Sequence, residues 1–183
     1  MHNVQITRID PADLEQVIEL FAHALYGGNI DDAQAHLADH RKGDGDTWLA
    51  HVDGLFAGFI TIRWQSNNPR FRADNIPLIH HLEVFDGFRR QGIAERLMDE
   101  AEQLIATRAQ QVGITVGLFD AYGPAQRLYA KRGYIPDGRG LCQGQRPLKQ
   151  GETVTIDHDI ILWLTKNLST SEERNHAQND GDE

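Results

Sequence analysis

The pattern with the clearest chemical meaning is Arg89-Arg90-Gln91-Gly92-Ile93-Ala94, which follows a short apolar run and opens a helical one. The first N–H groups of a helix have no intrahelical partner and sit at the positive end of its dipole, so this junction predicts a pyrophosphate cradle formed by the backbone of Gln91 to Ala94. Gly92 and Ala94 keep the approach to that backbone open. Arg89 and Arg90 can add charge-assisted hydrogen bonds. The dinucleotide pattern G-x-G-x-x-G and the Lys-Ser/Thr ending of a phosphate loop are both absent. The plain alternative is a basic turn with solvated arginines.

Just upstream, period-two alternation puts Leu78, His80, Leu82 and Val84 on one face of a strand and Ile79, His81, Glu83 and Phe85 on the other. Histidine can accept a proton near neutrality, so His80 is the first candidate base and Glu83 and His81 are its reserves; the rival role is a hydrogen-bonding strand histidine. Tyr129 lies on a later helix, where a phenol can serve as proton donor or simply fill the core. His36 and His40 have the i, i+4 spacing of a helical metal pair, but no Glu lies between them and no third ligand follows, so the expectation is two exposed histidines and no metal. Cys142, the single cysteine, has no nearby histidine and reads as inert. Trp48, Trp64 and Trp163 read as core aromatics, with Trp64 also able to line an acceptor pocket.

These groups need elements to hold them. Val4–Ile9 alternates like a strand, and Asp10-Pro11 then starts a helix with Leu14, Val17, Ile18, Phe21 and Leu25 on one face, stopped at Gly27-Gly28. A weaker helix is predicted over Asp31–Arg41. Thr47–Val52 and Leu55–Trp64 flank the hairpin turn Asp53-Gly54, and the polar stretch Gln65–Asn75 reads as a loop. Strands follow at Ile76–Phe85, Ile114–Phe119 and Val154–Leu164, with helices over Ile93–Ile105 and Pro124–Arg132. Hairpin strands first and strand–helix units later predict a mixed α+β sheet with helices on its faces.

The chain has 183 residues, 40% of them hydrophobic, which suits one domain. No run approaches the roughly 20 apolar residues of a membrane helix, and the start lacks a signal-peptide layout, so a cytoplasmic location is expected. The formal charge of −9 disfavours nucleic acid and anionic membrane as partners. The polar, acidic stretch 169–183 reads as a disordered tail, leaving 1–168 as the folded domain.

Arg89-x-x-Gly92-x-Ala94, preceded by Leu82-Glu83-Val84, resembles the acetyl-CoA signature R/Q-x-x-G-x-G/A of the GNAT N-acetyltransferases. Ala125-Gln126-Arg127-Leu128-Tyr129, continuing to Gly133-Tyr134, is similar to that family's later segment. The resemblance implies a GNAT-type fold, with a mixed but mostly antiparallel sheet of about seven strands flanked by helices. It also implies acetyl-CoA as acyl donor, no metal, and a primary amine of a small molecule or protein as acceptor, attacked directly in a ternary complex.

The resemblance implies cofactor-binding roles for Leu82, Val84, Phe85, Arg89, Arg90, Gln91, Gly92, Ile93, Ala94, Tyr122 and Ala125. The cofactor would lie in a splay between Ile79–Phe85 and Ile114–Phe119, with an amide of Val84 or Phe85 facing the thioester carbonyl. Tyr129 would be the general acid toward sulfur, a phenol and a thiol titrating within about two units of each other, and His80 or Glu83 would serve on the amine side. Tyr122 stands where the family often has asparagine. A homodimer is left open, and a sensor or scaffold that binds acetyl-CoA without chemistry is the rival reading.

Overall fold

A computed structural model describes residues 3–168. In chain order the elements are β1 (Val4–Arg8), α1 (Leu14–Leu25), α2 (Ile30–His36), α3 (Ala38–Arg41), β2 (Gly45–Val52), β3 (Leu55–Arg63), α4 (Pro69–Ala73), β4 (Leu78–Val84) and α5 (Ile93–Ala106). They continue with β5 (Gln111–Gly117), α6 (Gly123–Lys131), β6 (Ile135–Pro136), β7 (Cys142–Gln143), β8 (Arg146–Pro147) and β9 (Ile160–Asn167). The architecture is mixed α+β, with mostly antiparallel strands flanked by helices. The described residues form two compact units, one of residues 3–65 with Ile79–Ala101, the other of Ser66–Leu78 with residues 102–168. The acidic stretch 169–183 lies outside the described residues.

In the first unit the strands run in the order β1-β2-β3-β4, with β2 antiparallel to both β1 and β3. The β2–β3 hairpin closes on Asp53 (φ 50°) and Gly54 (φ 83°), both left-handed as a two-residue turn of this hand requires. Asp10 accepts a hydrogen bond from Ala12 N (2.8 Å) and Pro11 opens a short 3₁₀ turn, after which α1 buries Leu14, Val17, Ile18, Phe21 and Ala22. That face packs with Ile9, Ala33, Leu37, Leu49 and Phe59 to form the core of the unit.

The helix expected over Asp31–Arg41 is broken at Leu37, which leaves helical geometry (φ −95°, ψ 12°) as its side chain enters the core. His36 and His40 therefore fall on separate helices. Neither is exposed as expected: His36 is half-buried and His40 is buried.

In the second unit β9 is the central strand, antiparallel to β5, β6 and β7, with β8 beyond β7. The supposed loop over 65–75 contains α4, capped by Asn68, whose Oδ1 accepts from Arg70 N (3.1 Å), and begun by Pro69. Phe71 anchors this helix in the core with Leu78, Cys142 and Trp163. Gly113 makes that possible, since an added Cβ there would run into the Phe71 ring. The last strand starts later than expected, at Ile160, because Asp157 first turns the chain by accepting from Asp159 N (2.9 Å). Six longer strands and three of two residues each, β6 to β8, make nine among the described residues, where about seven were expected.

Candidate active site

The turn after β4 belongs to the first unit. Arg90 (φ 60°) and Gly92 (φ 76°) take left-handed backbone, which is strained for the arginine and free for the glycine. An added Cβ at Gly92 would meet no protein atom, so φ, not crowding by the protein, demands glycine. The ladder of α5 opens with Arg96 N bonding to Gly92 O (3.2 Å), which places the Ile93 and Ala94 amides ahead of it, at the positive helix end. The Ile93 side chain is buried and anchors the turn, while Arg90, Gln91 and Gly92 are exposed. Arg89 ties the strand end to the turn, since its Nε donates to Val84 O (2.9 Å) and its Nη1 pairs with Asp86 (2.7 Å).

Sequence reasoning passed over Gly58 on β3. An added Cβ there would collide with Glu83 O and lie 2.9 Å from Val84 Cα, so this glycine lets β4 come close just before the turn. A glycine inside a strand is the signal that could have found it. Phe85 N donates to Ala57 O (2.9 Å). Of the two amides expected near the acyl carbonyl, Phe85's is thus engaged by β3.

His80 and His81 are exposed, and Leu82, Glu83, Val84 and Phe85 are half-buried. Although water reaches both rings, the protein around them still depresses their basicity. Burial, then Arg63 and His81, bring His80 down to about 4 against the opposing pull of Asp39. Burial also lowers His81, but its charged neighbour is Glu83, which favours the protonated form.

Beside His81 lies a group that the sequence pattern did not announce. Tyr26 Oη and His36 Nδ1 are 2.5 Å apart, and the His36 ring stacks on His81 with centroids 4.8 Å apart and planes 26° off parallel. Burial, then His81 and His80, lower His36 to about 4. Burial, then Asp32 and Glu83, raise the Tyr26 phenol. At neutral pH, His36 and His80 are therefore uncharged.

In the second unit Tyr129 is 6% exposed on α6, 5.9 Å between centroids from Tyr134. The helix end is held by Glu102, whose carboxylate accepts from Arg132 and Tyr134. Burial, then Tyr122, push the Tyr129 phenol far above its ordinary value, so its hydroxyl stays protonated and the expected match with a thiol's pKa is not met. Tyr122 packs over Gly117, where a Cβ would enter its ring, and its hydroxyl meets His158 Nδ1 at 3.1 Å. Phe119 closes this cluster against both rings. Ala125 is half-buried nearby in sequence, and Gln126 Nε2 donates to Gly117 O (2.8 Å). Cys142 is buried, and burial raises its thiol. Among the described residues no three His, Cys, Asp or Glu side chains come together as a metal site, and no helix is long and apolar enough to cross a membrane.

Residues 43–136 match the family model described as an acetyltransferase (GNAT) domain. A search of the curated proteins finds no significant match. Among solved structures, the chain is similar to a Desulfovibrio desulfuricans protein assigned to the GNAT family, with 14% identity, TM-score 0.62, and 91% of this chain and 100% of the other covered. It is also similar to Arabidopsis thaliana Naa50 in complex with the bisubstrate analogue CoA-Ac-MVNAL, with 16% identity, TM-score 0.60, and 90% and 98% covered. A third is PaiA N-acetyltransferase from Thermoplasma acidophilum in complex with coenzyme A, with 14% identity, TM-score 0.54, and 90% and 99% covered. At these identities the likeness is one of fold.

Proposed function

The chain belongs to the GNAT acetyltransferase family, and from that premise we propose that it moves the acetyl group of acetyl-CoA to a primary amine by direct attack, with no covalent enzyme intermediate. The observation that carries this reading is the turn from Arg89 to Ala94, where left-handed Arg90 and Gly92 lead into the N-terminus of α5. The coenzyme A in the Thermoplasma structure and the CoA conjugate in the Arabidopsis one support that choice of donor. The peptide part of the second leaves a protein amine as well as a small molecule in view as acceptor. We place the reaction in the cytoplasm, in keeping with a single unpaired cysteine, and treat residues 1–168 as the catalytic domain.

The neutral amine nitrogen attacks the thioester carbonyl carbon, the C–S bond breaks, and the amine's proton passes to a β4 side chain. Burial lowers both histidines; the Arg63 guanidinium further opposes protonation of His80, whereas Glu83 favours it at His81, which is therefore the stronger base. The Val84 amide is the donor assigned to the developing oxyanion. Tyr129, held protonated by burial, donates a hydrogen bond to the departing sulfur, which afterwards takes its proton from solvent. The test is purified protein with acetyl-CoA and a panel of amines, following free CoA thiol. Thiol release that depends on one amine class, with the acetylated amine recovered, is the expected result. Tight acetyl-CoA binding without release across the panel would instead leave a sensor.

A further inference from the structure

Two features of the first unit have no part in the phosphate turn. His36 Nε2 is buried and has no hydrogen-bond partner among the described residues, and the His36–Tyr26 pair is set against an otherwise aromatic wall. A buried nitrogen without a partner is costly, and a flat apolar ring would fill the same space without that cost. What the imidazole adds is a fixed orientation. Its Nδ1 is tied to the Tyr26 hydroxyl, which fixes the rotation of the ring whichever atom carries the shared proton. Phe21 and Phe59 meet it edge-on, each 5.2 Å between centroids, at 85° and 67°. With steeply inclined rings packed on it and one nitrogen tethered, the rotation of the face turned to His81 is restricted.

His81 in turn packs on that face and also against Phe59, 5.3 Å away, so the three rings contact one another. We propose that Tyr26 and His36 are positioning residues that hold the His81 ring in place as the acceptor of the amine's proton. This rests on the reading that the chain acetylates an amine. In the step, the N–H bond of the attacking amine breaks, its proton joins a ring nitrogen of His81, and the imidazolium forms beside the Glu83 carboxylate. Among the described residues, the titratable groups shown against His81 are His36 at the end of α2 and His80 and Glu83 on β4, with Tyr26 behind His36; Phe59 on β3 brings none. His36 remains neutral through the step, so it adds no charge to oppose the imidazolium.

The experiment has two readouts on the full chain. The first is an NMR titration of the His81 ring without substrates. His36→Ala admits water to one face of the ring, and the His81 midpoint should rise toward the ordinary value of about 6.5, whereas His36→Phe keeps the face covered and should leave it low. The second is turnover with the amine found in the panel. His36→Ala should lower kcat by about tenfold with the KM for acetyl-CoA unchanged, and should move the acidic limb of the profile to higher pH, because His81 must be unprotonated to act. His36→Phe should recover to within about threefold of wild type, since a flat ring restores the stack.

Tyr26→Phe should slow turnover alone but add nothing in the His36→Phe background, where the hydroxyl has no ring nitrogen to hold. An unmoved His81 titration in folded His36→Ala, or additive losses in the double variant, would overturn the pair even in an active enzyme. A wild type that acetylates no amine would overturn the acetyltransferase reading, while the titration still judges the hold on His81.

Discussion

Replacing Glu102 by Gln tests whether the helix that carries Tyr129 is held electrostatically. Glu102 is 8% exposed, and its carboxylate accepts from Arg132 Nε (3.0 Å) and Nη2 (2.9 Å), Tyr134 Oη (3.0 Å) and Lys166 Nζ (2.6 Å). Gln keeps the volume but removes the charge and points an amide NH₂ at a set of donors. Breaking a well-buried ion pair costs about 3–5 kcal/mol. The Arg132 and Lys166 side chains retain 15% and 22% exposure and so some access to water, which argues for the low end, about 3 kcal/mol. At about 2–4 °C per kcal/mol for a chain of this size, the melting temperature should fall by about 6–12 °C.

The pH dependence sharpens the test. Burial by itself would raise Glu102, but the hydrogen bonds and charges of Arg132 and Lys166 outweigh it and hold the carboxyl below the usual glutamate range. A carboxyl depressed in the folded state contributes stability above its unfolded pKa, about 4.3, and loses it as pH falls through the folded value. Wild type and Glu102→Gln should therefore differ by a constant amount from pH 8 to 5 and converge below about pH 4.3. Thermal unfolding followed by circular dichroism across that range measures both. A difference under about 1 kcal/mol at pH 7, the worth of an exposed pair, would refute the argument. So would a difference that persists unchanged at pH 3.

Three further outcomes follow from the site. Gly92→Glu forces a side chain onto a φ of 76° and adds negative charge at the helix N-terminus, so acetyl-CoA affinity by calorimetry should drop at least about tenfold in a folded protein. Tyr129→Phe keeps the buried ring and removes only the hydroxyl; losing a hydrogen bond to a departing anion should cut kcat by about 10- to 100-fold with acetyl-CoA binding nearly unchanged, as steady-state kinetics would show. Gly58→Ala would push β4 away from β3 at Glu83 and Val84, and should cost about 1–3 kcal/mol in chemical denaturation besides weakening acetyl-CoA binding.

Some of this protein was written locally and could be read without coordinates. The helix face of Leu14, Val17, Ile18 and Phe21, the Asp53-Gly54 turn and the Arg89–Ala94 junction each depend on spacing within a few residues, because side-chain periodicity and left-handed backbone are local properties. The family followed from the same short-range pattern, Arg89-x-x-Gly92-x-Ala94 with Ala125 to Tyr134, and the GNAT domain match over residues 43–136 agrees with it. Helix α4 was hidden, since a polar run with one buried phenylalanine shows no period, and its anchor is an absent side chain at Gly113, far along the chain.

The chemistry of the histidines was likewise out of local reach. Alternation could put His80 and His81 on a strand, but their basicity depends on which charge faces each ring. Arg63 beside His80, Glu83 beside His81, and the stack of His36 on His81 under the hand of Tyr26 are set by residues brought together across the fold. Tyr129 makes the same point: its place in the motif was legible, while its buried, protonated state came from packing. Spacing along a chain determines which groups can share an element. Desolvation and Coulomb interactions act through space, so only the tertiary structure decides the protonation state in which those groups work.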